Sequence, residues 1–285
     1  EGSYEANSNV AIGAYTLTGG TLGSSVFSGN IAIGAFSLND TGTNPHTGTI
    51  AIGYAALTAL TSGAYNTSVG YRSSTALLGG SSNTSLGYDS LLALTGGGSN
   101  VAIGAAAFKA AAVGETGNVI IGHGAADLFD EGAAGGDIDY NVAIGYDAFI
   151  GGDLAGNDRQ VQGNIAIGAY ALDATDDNAQ TGTIAIGHQA LTALTSGSGN
   201  TAIGYQAGLL ITTGASNTII GKGAADATHV DSTGNVAIGK DAFGGSHAGG
   251  GSHYNTTVGE GALSGALNGV SGATAIGYTA LASLT

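Results

Sequence analysis

A short apolar run returns along the whole chain: an Asn, a β-branched residue, usually an Ala, an aliphatic residue and a Gly. It reads Asn9-Val10-Ala11-Ile12-Gly13 near one end and Asn235-Val236-Ala237-Ile238-Gly239 near the other. There are fifteen copies at spacings of seventeen to twenty-three residues. A motif repeated at such a period marks a stack of similar units. Counted from the Gly as position 0, position −1 is always aliphatic and −3 always β-branched. Side chains alternate along a strand, so −3 and −1 share one bulky apolar face. That face is predicted to be the core: Val10, Ile12, Ile33, Ile52, Val101, Ile103, Ile144, Ile167, Ile186, Ile203 and Ile238, joined by Phe108 from position +4. Position −2, mostly Ala, lies on the opposite face, where another layer or a second chain can come close.

The Gly at 0 has no exception, and Gly13 stands for all fifteen: a corner with positive φ, or a place with no room for a Cβ. Position −4 is Asn at 9, 30, 66, 83, 100, 118, 141, 164, 200, 217, 235 and 255. Asn hydrogen-bonds nearby backbone in turns. Stacked coil on coil, Asn9, Asn30, Asn66, Asn83, Asn100, Asn118, Asn141, Asn164, Asn200, Asn217, Asn235 and Asn255 are expected to form a ladder. After the Gly come two variable positions, a small residue at +3 and usually Leu or Phe at +4, with a further apolar residue at +7 in several copies. Those spacings fit a short helical turn, and alternation fits a second short strand. The reading is all-β: a parallel β-solenoid of about fifteen coils over 9–285 after a lead-in at 1–8, with a helical turn or irregular second leg in each coil. One unit buries three or four apolar side chains at ~1.5–3 kcal/mol each. Ordering its residues costs about 1–2 kcal/mol apiece, so stacking must supply the stability.

Composition narrows the function. Gly is 54 of 285 residues, as one obligatory corner per coil plus loop glycines requires. A net charge of −15 with five Lys plus Arg disfavours nucleic acid and anionic membranes as partners. No Cys is present, which removes disulfides and thiol chemistry. No apolar run approaches the ~18 residues of a membrane helix. The chain begins at Glu1 without Met or a signal peptide and ends inside a coil, which reads as a mature or partial chain. Two segments repeat almost verbatim: 49–63 returns at 183–197, and 118–127 at 217–226. Duplication of blocks explains both.

Candidate chemistry is sparse. The longer coils at 123–163 are acidic, and Asp127, Asp130, Glu131, Asp137 and Asp139 form a candidate calcium set. Their order matches neither a calcium-hand loop nor a calcium β-roll, and a solvated loop explains them equally. His247 with His253, or His123 with His188 at +1, are candidate metal ligands if chains converge on an axis, and exposed or packing histidines otherwise. Tyr recurs at +1 as Tyr54, Tyr71, Tyr88, Tyr146, Tyr205 and Tyr278, either as a structural ladder or as a contact strip for sugar or protein. No nucleophile, base and oxyanion site converge in a motif, and no phosphate loop is present, so the chain is not expected to be an enzyme. No cofactor is expected beyond the candidate calcium.

The Asn-[Val/Ile/Thr]-Ala-Ile-Gly repeat, as in Asn100-Val101-Ala102-Ile103-Gly104, resembles the head repeat of trimeric autotransporter adhesins. The longer form from Asn200 to Ala207 is similar to repeats of phage tail fibres and large bacterial surface proteins. The resemblance covers 9–285. It implies a left-handed parallel β-roll, three chains side by side, and an extracellular place on a cell surface or virion. The implied work is to hold a fibre and present loops to a receptor or glycan. A self-assembling filament or sheath subunit, stacked end to end, is the alternative. The repeats here are longer than the roughly fourteen residues usual in those heads, and neither a coiled-coil stalk nor a membrane anchor is seen.

Overall fold

A computed structural model describes residues 8–18, 27–42, 46–129, 137–152, 160–175, 178–228, 230–245, 250–265 and 269–283. They form a parallel β-solenoid with no helix among them. The chain divides into two compact units, residues 1–141 with 153–158, and residues 142–152 with 159–285. The first unit stacks seven three-residue strands, from Val10–Ile12 to Val119–Ile121. The second stacks eight, from Val142–Ile144 to Thr274–Ile276. Counted as complete turns between strands, this is about thirteen rather than fifteen. Each strand pairs in parallel with its neighbour in perfect phase: Ile50, Ala51 and Ile52 lie on Thr67, Ser68 and Val69, and Ile165, Ala166 and Ile167 on Ile184, Ala185 and Ile186. Like therefore stacks on like, and one coil's side-chain pattern becomes a column along its unit.

The strand faces the other way from the expectation. The −2 residues point inward: Ala32, Ala51, Ala102, Ala166, Ala185 and Ala237 are wholly buried. The −3 and −1 residues point out. Val10, Ile12 and Ile203 are exposed, and Ile33, Ile52, Val101, Ile103, Ile144, Ile167, Ile186 and Ile238 are half-buried. Of the residues expected in the core, Phe108 alone is fully buried. The reason is volume. Across the coil from −2 stand the +4 side chains Leu38, Leu57, Leu91, Phe108, Phe149, Leu172, Leu191 and Phe243, with Leu60, Leu77 and Leu194 from +7, all fully or almost fully buried. A Leu or Phe on one wall leaves room only for a small residue on the other, Ala in most coils, Ser85 with Leu91 and Thr257 with Leu263. Where −2 becomes Ile120 or Ile219, +4 shrinks to Ala126 or Ala225, and all four stay buried. That exchange keeps interior packing dense.

The segment after the corner is neither helix nor strand. The +2 and +4 residues have positive φ, as at Ala55 and Leu57 (55° and 51°) and at Ala106 and Phe108 (57° and 51°). Alternation of right- and left-handed residues cannot build a helix. Instead the +2 N–H donates to the +1 carbonyl of the preceding coil, as from Ala106 to Tyr88 (2.9 Å). The +4 N–H donates to the +3 carbonyl of the following coil, as from Phe108 to Ala125 (2.9 Å).

The Asn ladder is present. The side-chain carbonyl of Asn83 accepts from the backbone N–H and the side-chain amide of Asn100, both at 3.0 Å. The Asn100 amide donates on to the Glu115 carbonyl at 2.7 Å. The same bonds join Asn200, Asn217, Asn235 and Asn255. Buried amides are thereby saturated, as burial demands. Thr49 and Thr183 interrupt the ladder. Their backbone N–H groups bond to Asn30 and Asn164, but their hydroxyls are buried without a partner. Thr49→Asn and Thr183→Asn are expected to raise stability by about 1 kcal/mol for each restored bond. A thermal melt checks this, and a lowered midpoint would show that the corner rejects the amide.

Candidate interaction surfaces

Two surfaces stand out. The first is the outer strand face of each unit. Its −3 column runs Val10, Ile31, Ile50, Thr67, Thr84, Val101 and Val119 in the first unit, and every −1 residue beside it is aliphatic. No −3 or −1 position of either unit carries a charge, although the chain has a net charge of −15. Fixed spacing of about 4.8 Å between strands makes the face a regular apolar lattice. Continuous apolar surface of this kind is uncommon unless something covers it.

The second surface is an aromatic column beside the Gly corners. In the first unit Tyr54 stacks on Tyr71 at 5.2 Å and Tyr71 on Tyr88 at 5.6 Å, with ring planes 14° and 9° apart. Tyr15 stacks on Phe36 at 5.3 Å, and Phe36 meets the edge of Tyr54 at 5.7 Å. The second unit repeats the arrangement with Tyr146, Tyr170, His188 and Tyr205, at 5.5, 6.1 and 5.5 Å between successive rings. Lys222 then lies over Tyr205 at 5.9 Å. Tyr54, Tyr71, Tyr88, Tyr146 and Tyr205 stack in these columns, as one of the two readings of the +1 tyrosines anticipated, whereas Tyr278 is exposed and meets no ring among the described residues. Tyr15, Phe36 and Tyr170, at +2, were missed. The signal was in the sequence: each follows an Ala at +1, so a coil that loses its ring at one position regains it at the next.

Arg72 and Asp89 flank the column. Arg72 Nε donates to Asp89 Oδ1 at 2.8 Å, and Nη2 pairs with Oδ2. The guanidinium also lies over Tyr71 and Tyr88 at 5.5 and 5.9 Å. The hydrogen bond that Arg72 donates to Asp89 raises the Arg72 pKa. In the second unit, burial and the nearby Asp241 raise the Asp226 pKa, while Asp241 itself pairs with Lys240 at 2.7 Å.

The candidate metal groups are engaged otherwise or lie elsewhere. Asp130 and Glu131 are outside the described residues. Asp127 lies 3.9 Å from Lys109. Asp139 accepts from the Thr116 N–H at 2.7 Å, and burial raises its pKa. Asp137 is exposed on the strand Asp137–Asp139. Among the described residues no group of three or more His, Asp or Glu is placed to hold a metal ion. His247 is outside the described residues. His253 accepts from the Thr233 N–H at 3.2 Å, and His123 and His188 occupy positions of the aromatic columns.

The fold defines a repeat protein of the β-solenoid class. No protein-family model, curated protein or solved structure matches the chain.

Proposed function

We propose that the protein is a structural and adhesive segment of an extracellular fibre. It associates side by side with copies of itself as a homotrimer, and it presents its loops and columns to a receptor or glycan. The observation that carries this reading is the outer strand face: aliphatic or Thr at every outward position, uncharged, and repeated strand after strand. Burying such a face against a copy removes branched methyls from water at about 25 cal/mol per Å². The matched spacing of the two lattices lets the side chains interdigitate. Resemblance to adhesin heads and tail fibres points to the same assembly and to a cell surface or virion. The reading needs no catalytic group and no cofactor.

Light scattering on the purified chain is the test. A mass near three chains is expected, and a single-chain mass at micromolar concentration would sink the assembly. A second reading, an end-to-end filament, draws on the strands Val10–Ile12 and Thr274–Ile276. Each has a sheet partner on one side only among the described residues. Electron micrographs separate the two: discrete particles for the fibre segment, indefinite filaments for the polymer.

A further inference from the structure

In the first unit the aromatic column is broken once. Every coil from Tyr15 to Tyr88 supplies a ring at +1 or +2, and the coil at 122 supplies His123. The coil between them has Ala105 at +1 and Ala106 at +2. The register holds across the break: Ala106 N–H donates to the Tyr88 carbonyl at 2.9 Å, and Gly124 N–H to the Ala105 carbonyl at 3.0 Å. Position 105 therefore lies one coil from Tyr88 and one coil from His123, which places those two positions roughly 9.6 Å apart, two strand spacings. Tyr88 is stacked by Tyr71 on one side and is 54% exposed. On the other side the next coil carries Ala105 and Ala106 at the two ring-bearing positions. The gap is one ring thick.

We infer that this slot binds one pyranose ring of a neutral glycan, between Tyr88 and the His123 position, with Ala105 as its floor. A ring seated there continues the spacing of 5.2–5.6 Å that the stacked tyrosines keep among themselves. The C–H face of a sugar packs on the electron-rich face of Tyr. Arg72 lies 5.5 Å from the Tyr71 ring and 5.9 Å from the Tyr88 ring, at the step before the slot, and its pair with Asp89 braces the Tyr88 wall. A net charge of −15 repels acidic sugars. A slot walled on two sides needs a sugar with both faces apolar. That selects β-gluco pyranoses, including N-acetylglucosamine, whose hydroxyls are all equatorial. A galacto ring carries an axial hydroxyl into one wall.

This inference gives the proposed adhesive surface a ligand class and rests on that reading only for its biological setting. Calorimetry on the full chain with cellohexaose and chitohexaose tests it, with β-1,4-galactohexaose and choline as comparators. Binding of at least one gluco oligomer is expected, about tenfold tighter than the galacto oligomer. Tyr88→Ala and Ala105→Tyr should each weaken it about tenfold or more. Circular dichroism establishes that the variants are folded. Absence of gluco binding, binding that survives Ala105→Tyr, or binding of choline alone would overturn the slot. The mass of Ala105→Tyr by light scattering should equal that of the parent. A trimer without sugar binding leaves the fibre reading standing, and sugar binding by a single chain leaves the slot standing.

Discussion

Gly239→Ala is expected to lower the unfolding midpoint well below that of the parent and below that of Gly163→Ala. Gly239 has a φ of +133°, a region that side-chain-bearing residues avoid. A Cβ there would stand 2.7 Å from both the carbonyl carbon and the oxygen of Gly259, and 3.0 Å from the Glu260 nitrogen. All three are backbone atoms of the next coil, and that backbone is pinned by the Gly259 N–H bond to Ile238 at 2.8 Å. It cannot yield without breaking the stack. Backbone strain and overlap together should cost on the order of 3–5 kcal/mol. Gly163→Ala is the control. Its φ is +67°, and nothing stands within 4 Å of its Cβ position. Only the left-handed strain remains, about 1–2 kcal/mol. Thermal melts by circular dichroism compare the pair. Equal midpoints would mean that the corner glycines answer to φ alone and that the coils are not in backbone contact.

The invariant Gly and the recurrent Asn were legible because each has a narrow physical use. Only Gly tolerates both the dihedral and the contact at 239, and Asn100, like Asn83 and Asn118 on either side of it, carries on one short side chain the donor and acceptor that a column of corners needs. The coil length and parallel stacking followed from the period. The direction of the strand was misread for a definite reason. Alternation says that Val101 and Ile103 share a face and that Ala102 has the other, but it does not say which face is inside. Bulk at Val101 and Ile103 points to the interior only where the interior is wide enough to hold it. In so narrow a coil the interior is filled from the opposite wall, by Phe108 and its equivalents, and Ala102 is the residue that fits across from them. The exchange of Ile120 with Ala126 was visible in the sequence and would have revealed which positions share the core. The left-handed +2 and +4 residues had no such trace, because Leu57 and Phe108 are residues that ordinarily avoid that conformation. The break at Ala105 was equally visible, but it gained meaning only when the rings at +1 and +2 proved to form one column.

Ala102→Asp against Ile103→Asp decides which face is the interior, and the two adjacent substitutions should have opposite consequences. Ala102 is wholly buried, with Ser85 and Ile120 beside it in register. A carboxylate there is desolvated without a cation, and the loss should be on the order of 4 kcal/mol or more. Ile103 lies between Leu86 and Ile121 on the outer face and is only half-buried. An Asp there reaches water, so the folded chain should lose about 1 kcal/mol, the span of strand preference. What Ile103→Asp should destroy is association. A charge at the centre of an apolar lattice must be desolvated for a copy to dock, and the variant's mass should fall to a single chain. Melting at low concentration separates fold from assembly. If Ile103→Asp melts as early as Ala102→Asp in a dilute sample, the outer face is part of the folded core. If its mass stays near three chains, copies meet through some other surface.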